Sequence, residues 1–128
     1  MIEIKNLSKT YDERLIVDDL SLLIPNGSIF GFLGPNGAGK TTTMKMLVGI
    51  NRPDSGSITI NKGSPNDPWT RQEIGFMPEE PHFYDQLTGL EFLRFISHLF
   101  ENISRSTSEL ELILKKIGIY EARNRKIR

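Results

Sequence analysis

The sequence predicts an α/β fold, and three observations carry that prediction. Residues 2–24 alternate apolar and polar side chains in two strand-like stretches, an apolar run over 28–33 passes through a glycine-rich turn into a helical pattern, and two capped amphipathic segments close the chain. With 128 residues there is room for one domain and one modest core.

The first stretch sets Ile2, Ile4 and Leu7 against Glu3, Lys5 and Asn6, a half-buried strand that Ser8-Lys9-Thr10 should close. Tyr11 then falls in a polar turn, where a lone tyrosine is ordinarily a packing residue. Residues 14–24 form the second stretch, with Leu20, Leu22 and Ile24 on one side. Leu15-Ile16-Val17-Asp18-Asp19 mimics an apolar-then-acidic Mg²⁺ strand, but it precedes the phosphate-type loop rather than following it. Asp18 and Asp19 are therefore read as turn or edge charges. Pro25-Asn26-Gly27 predicts a tight hairpin into the next strand. That strand, 28–33, is apolar nearly throughout, the pattern of a central strand covered on both faces of a parallel sheet.

Next comes Gly34-Pro35-Asn36-Gly37-Ala38-Gly39-Lys40-Thr41-Thr42, the P-loop spacing GxxxxGK[ST]. Gly34, Gly37 and Gly39 permit positive φ and a close backbone approach to an anion, so that successive N–H groups can form a cradle. A helix opening at Gly39 adds four unpaired N–H groups and about half an elementary positive charge. Lys40 would reach the outer phosphates as a point charge, and the Thr41 hydroxyl suits Mg²⁺. From average residue usage the pattern arises by accident in roughly one chain in two hundred of this length, and the strand before it and helix after it raise its weight. Nucleotide binding is the reading.

The helix carries Met44, Leu47 and Val48 on one face and should stop at Gly49. Residues 53–56 read as a turn, 57–60 as a short strand and 61–63 as another turn. Asp67-Pro68 should start a brief helix through Gln72, and 74–77 should be a short apolar strand. After the loop Pro78-Glu79-Glu80-Pro81, Thr88-Gly89-Leu90-Glu91 is a capping box flanked by Leu87 and Phe92 as a staple, which predicts a helix over 89–100. Ser106-Thr107-Ser108-Glu109 repeats the device. Its helix carries Leu110, Ile113, Leu114 and Ile117, ending at Gly118. The tail over 121–128 is basic, has no cap or turn of its own, and reads as a solvated face.

Composition narrows the function. The 16 basic and 16 acidic residues balance, so no nucleic-acid partner is called for, and the absence of cysteine excludes a disulfide framework, thiolate metal site or cysteine nucleophile. No apolar stretch approaches the 18 or so residues needed to cross a bilayer, and no signal-peptide pattern opens the chain; a soluble, unexported chain is expected. Trp69, His82 and His98 lack suitably spaced partners and are assigned packing or surface roles.

The order and wording of these segments resemble the ATP-binding cassette of ABC transporters, closest in flavour to bacterial exporter-type ATPase subunits. IKNLSKTY resembles the opening strand and A-loop, GFLGPNGAGKTTTMKMLVGI the phosphate loop and its helix, PDSGSITI the returning strand, IGFMPEE the Q-loop, and LTGLEFL the start of the helical subdomain. The resemblance implies an ABC-type P-loop NTPase fold: an antiparallel β-subdomain, part of a parallel core sheet and the start of an α-helical subdomain. It divides the chain into about 1–78 and about 79–128 of a single ATP-binding domain. It implies adenine stacking by Tyr11, and a Q-loop position at which Glu79 replaces the family's glutamine, with a role near Mg²⁺. ATP and Mg²⁺ would be the cofactors. A second ATP-binding subunit, as homodimer or pseudo-dimer, and an integral membrane subunit at the inner face of the cell membrane would be the partners.

The family's signature motif, acidic strand with catalytic glutamate and switch histidine are absent from these residues. No catalytic residue is therefore assigned, and the 128 residues alone are expected not to hydrolyse ATP at a useful rate. The sheet they leave open should make them marginal or aggregation-prone. Rival readings are a truncated, non-catalytic nucleotide-binding product and an ABC-family protein serving translation or repair; a GTPase or small kinase fits the strands before the loop poorly.

Overall fold

A computed structural model describes residues 1–99 and 105–127. They fall into two compact units, Met1–Met77 and Pro78–Arg128.

In the first unit β1 (Ile2–Tyr11) lies between β2 (Arg14–Ile24) and β3 (Ser55–Ile60), antiparallel to both. Ile4 faces Leu22 on one side and Ile58 on the other. Alternation alone would send Leu7 to the opposite face from Ile2 and Ile4, yet Leu7 is fully buried. A bulge resolves the conflict. The register shifts between Ile4 and Leu7, where Asn6 has φ 47° and its side chain donates to the Asp19 carboxylate at 2.8 Å. Asp19 itself sits at φ 43°, its N–H donating to Ser8 Oγ at 3.0 Å, so irregularities on both strands are pinned to each other. Ile4, Leu7, Val17, Ile58 and Ile60 form the core with Met46 of α1 (Lys40–Leu47). Also in this unit, α2 (Pro68–Gln72) starts at its proline as expected.

Five expectations are corrected here. β1 does not close at Ser8-Lys9-Thr10 but pairs through Tyr11 with Arg14, and the two-residue turn is Asp12-Glu13, both at positive φ (47° and 63°). Residues 28–33 and 74–77 are not strands, the turn at Asn26-Gly27 leads into no paired strand, and the central strand is β1. A strand exists through its ladder, and among the described residues nothing pairs with either apolar run. The parallel part of the expected sheet is thus not formed by them. Ile29 and Leu33 are left 104% and 91% exposed.

In the second unit α3 (Gly89–Leu99) and α4 (Thr107–Lys116) both begin in the expected capping boxes. Thr88 N–H donates to the Glu91 carboxylate at 2.8 Å while Glu91 N–H donates to Thr88 Oγ1 at 3.3 Å; Ser106 and Glu109 do the same at 2.7 and 3.4 Å. These bonds hold both carboxyls below the ordinary range, the backbone N–H being the larger cause in each. Phe92 sets its ring edge-on to Phe83 at 5.1 Å, and Leu110 and Leu114 are buried. Gly118 ends α4 at φ 75°. Phe100, the expected end of α3, lies outside the described residues. The tail is less free than its charge suggests. It forms a 3₁₀ turn at Tyr120–Ala122, Arg123 C=O accepts from Leu90 N–H at 3.0 Å, and Ile127 N–H donates to Leu87 C=O at 3.0 Å.

Candidate functional site

The loop over 34–39 joins the extended run to α1. Gly37 and Gly39 take φ 83° and 79°, conformations that a side chain would strain. Gly34 does not take positive φ, so its expected role there is corrected: a Cβ at Gly34 would stand 3.5 Å from Ala38 Cβ, an ordinary contact. Gly39 has a second reason to be glycine. A Cβ at that position would lie 2.6 Å from the Ile16 carbonyl oxygen on β2, so the loop's last residue is pressed onto the sheet.

The loop closes on itself through three hydrogen bonds. Ala38 N–H donates to Pro35 C=O at 3.3 Å, and Lys40 Nζ donates to the carbonyls of Gly34 and Pro35 at 2.7 Å each. The ammonium is thereby held over the loop by main-chain oxygens. Gly39 is the N-cap of α1 and offers no side chain, so the N–H groups of Gly39, Lys40, Thr41 and Thr42 have no intrahelical partner. Thr43 N–H is the first to find one, donating to Gly39 C=O at 2.8 Å. Four amide donors, a helix N-terminus and one lysine are a donor set that fits a polyphosphate.

The three successive threonines separate by burial. Thr41 is exposed in the first turn and Thr42 half-buried, while Thr43 is buried with its hydroxyl donating to Gly39 C=O at 2.9 Å. Thr43 escaped the sequence reading, since nothing in a run of threonines distinguishes the one that locks the loop to its helix. Asn36 is exposed on the loop. Among the described residues no three acidic, histidine or cysteine side chains gather into a metal cluster.

Tyr11, the last residue of β1, is held from the other end of α1. Its Oη accepts from Asn51 Nδ2 at 2.6 Å, and Asn51 N–H donates to Lys45 C=O of that helix at 3.1 Å. Lys9 Nζ stands 5.2 Å from the ring centroid and is itself paired at 2.7 Å with Asp54, whose second oxygen accepts from Thr10 N–H at 2.7 Å. The Lys9 bond, followed by the Thr10 bond, lowers the Asp54 carboxyl below its ordinary value. Asn51 and Asp54 carry no signal of their own in the sequence: Asp54 stands in what reads as a plain turn over 53–56, and Asn51 between that turn and the helix stop at Gly49. Glu79 belongs to the second unit, exposed in the irregular segment before α3. Of the residues assigned to surface or packing, Trp69 is largely exposed and His98 Nδ1 meets Arg94 C=O of its own helix at 2.6 Å.

The family model described as "ABC transporter" matches residues 17–128. The chain belongs to the ABC transporter family of ATP-binding domains. It is 34% identical, over 97% of its length and 52% of the relative's, to the SkfA peptide export ATP-binding protein SkfE of Bacillus subtilis (strain 168). To the bacitracin transport ATP-binding protein BcrA of Enterococcus faecalis it is 35% identical over 98% of its length and 41% of the relative's. A solved structure described as the ATP binding subunit of an ABC transporter superposes with a TM-score of 0.83 at 29% identity, covering 98% of this chain and 53% of that one. The chain thus spans about half the length of these relatives. The ABC fold accounts for what the two units contain: the antiparallel sheet with its phosphate-type loop in one, capped helices in the other. Such a domain is a nucleotide-binding one, and among the described residues no helix is long and apolar enough to cross a membrane.

Proposed function

We propose that this chain binds MgATP as part of the ATP-binding subunit of a bacterial exporter. The observation that carries the reading is the loop itself: two glycines at positive φ, an uncapped helix N-terminus and the Lys40 ammonium converge on one short stretch. Gly34, Pro35, Asn36, Gly37, Ala38 and Gly39 wrap the phosphates, Lys40 neutralises the outer two, and Thr41 and Thr42 present first-turn donors. Bound Mg²⁺ would offset charge on the phosphate oxygens, with the Thr41 hydroxyl as one ligand, and Glu79 keeps the Q-loop role near the ion that the family resemblance implies. Tyr11 stacks on the base.

Relatives named for peptide export and bacitracin transport support an export role, in which the subunit pairs with a second ATP-binding subunit and drives an integral membrane partner from the cytoplasmic face. In this reading Met1–Met77 is the β-subdomain and phosphate-loop core, and Pro78–Arg128 carries the Q-loop position and the start of the helical subdomain.

The test is Lys40→Ala in the full-length protein, with MgATP affinity measured by calorimetry. Loss of a charge-assisted contact of about 1.5–3 kcal/mol should weaken binding about 10- to 100-fold. Unchanged affinity overturns the reading.

A further inference from the structure

We propose that Asn51 is a positioning residue for the nucleotide base, acting through the Tyr11 ring; this rests on the reading of Tyr11 as the base platform. A tyrosine at a strand end has two rotatable side-chain bonds, and a stacking surface is useful only if the ring plane is fixed before the ligand arrives. Two contacts fix it here. Asn51 Nδ2 donates to Oη at 2.6 Å, and Lys9, two residues earlier on the same face of β1, stands its ammonium 5.2 Å from the ring centroid.

Neither support is loose. Lys9 is mostly covered and ion-paired with Asp54 at 2.7 Å, and Asp54 N–H donates to Ser8 C=O at 3.0 Å, which ties the segment after α1 to β1. Asn51 is anchored by its own N–H on Lys45 C=O. The consequence is an architectural link: α1 presents the phosphate loop at its N-terminus and, just past its C-terminus, the amide that holds the tyrosine. Tyr11 nevertheless keeps 41% of its surface open. The ring is held at its tip and beside Lys9 while retaining surface for a purine.

The experiment compares MgATP with magnesium tripolyphosphate, which has the phosphates but no base, on the full-length protein and five variants. Asn51→Ala should weaken MgATP about fivefold and leave tripolyphosphate unchanged. Tyr11→Phe, which removes the same hydrogen bond from the other side, should match it, and the double variant should be no weaker than either single one. Asn51→Asp should restore affinity, because the carboxylate can accept from the phenol. If Tyr11→Ala weakens MgATP but Asn51→Ala does not, the platform stands and the positioning role is overturned. Equal weakening of both ligands by Asn51→Ala also overturns it, since the residue would then be acting on the fold. No effect of Tyr11→Ala overturns the platform reading itself.

Discussion

The two units set up their main elements with contacts of opposite range. In the first, Ile2 pairs with Ile24 and Ile60, the amino terminus donates to Asn61 Oδ1 at 2.8 Å, and Asp54 reaches back to Lys9 and Thr10. In the second, each main helix is started by a box closed within four residues, Thr88 to Glu91 and Ser106 to Glu109. The difference teaches where the proposed binding site gets its geometry. The loop and Tyr11 are placed by residues distant in sequence: Gly39 against Ile16, Tyr11 against Asn51. Such placement is accurate once the sheet is formed and has no support before it.

Gly56→Ala should break this comparison most severely. Gly56 sits at φ 82° on β3, and a Cβ there would collide with the carbonyl oxygens of Lys5 and Asn6, main-chain atoms of the central strand that cannot swing aside. Strain and displacement together should cost about 3 kcal/mol or more, read by urea unfolding. Amide exchange should accelerate at Leu7 and leave Leu114 of α4 as it was. A loss below about 1 kcal/mol would mean that β1 and β3 are not held as closely as the range of their contacts requires.

The same division explains how much could be seen in the sequence. The phosphate loop, both capping boxes and the Pro68 start of α2 are local patterns, and each is where its residues place it. The β1–β2 turn is drawn too early and too long, with Ser8-Lys9-Thr10 closing the strand and Tyr11 in the turn, because Asp12 and Glu13 adopt positive φ without a glycine to mark the tight pair. Residues 28–33 were read as a strand from their apolar character, but a ladder is a property of two segments and only one was in view. Asn51 is legible in no window, since its partner Tyr11 lies forty residues earlier. The adenine role proposed for Tyr11 likewise comes from family wording and not from its own surroundings.

A smaller effect is expected at the local end. Ser106→Ala removes the N-cap oxygen that receives Glu109 N–H and should cost about 1 kcal/mol, with exchange accelerating at Leu110 and Leu114 while Leu7 is unaffected. Equal acceleration at Leu7 would show that the box does not act locally. Ser106→Asp, which keeps an accepting oxygen, should recover most of the loss.

The smallest effect is the acid dependence of the same boxes. The Glu91 and Glu109 carboxyls lie below their ordinary value of 4.5 because the N–H groups of Thr88 and Ser106 donate to the charged form. A carboxyl with a depressed pKa in the folded chain contributes stability that is full above the unfolded value and lost as pH falls through the folded one. The helix starts should therefore hold unchanged down to about pH 4.5 and loosen below it. The amide resonances of Thr88 and Ser106 read this directly, and both should titrate with midpoints under 4.5. Thr10 offers the long-range counterpart, since its N–H donates to Asp54, a carboxyl also held below its ordinary 3.8 by Lys9. Glu109→Gln should abolish the acid step at Ser106 and leave that at Thr10 in place. A Ser106 midpoint at or above 4.5 in the parent chain would mean that its box is open in solution and that the second unit owes its helices to something other than their caps.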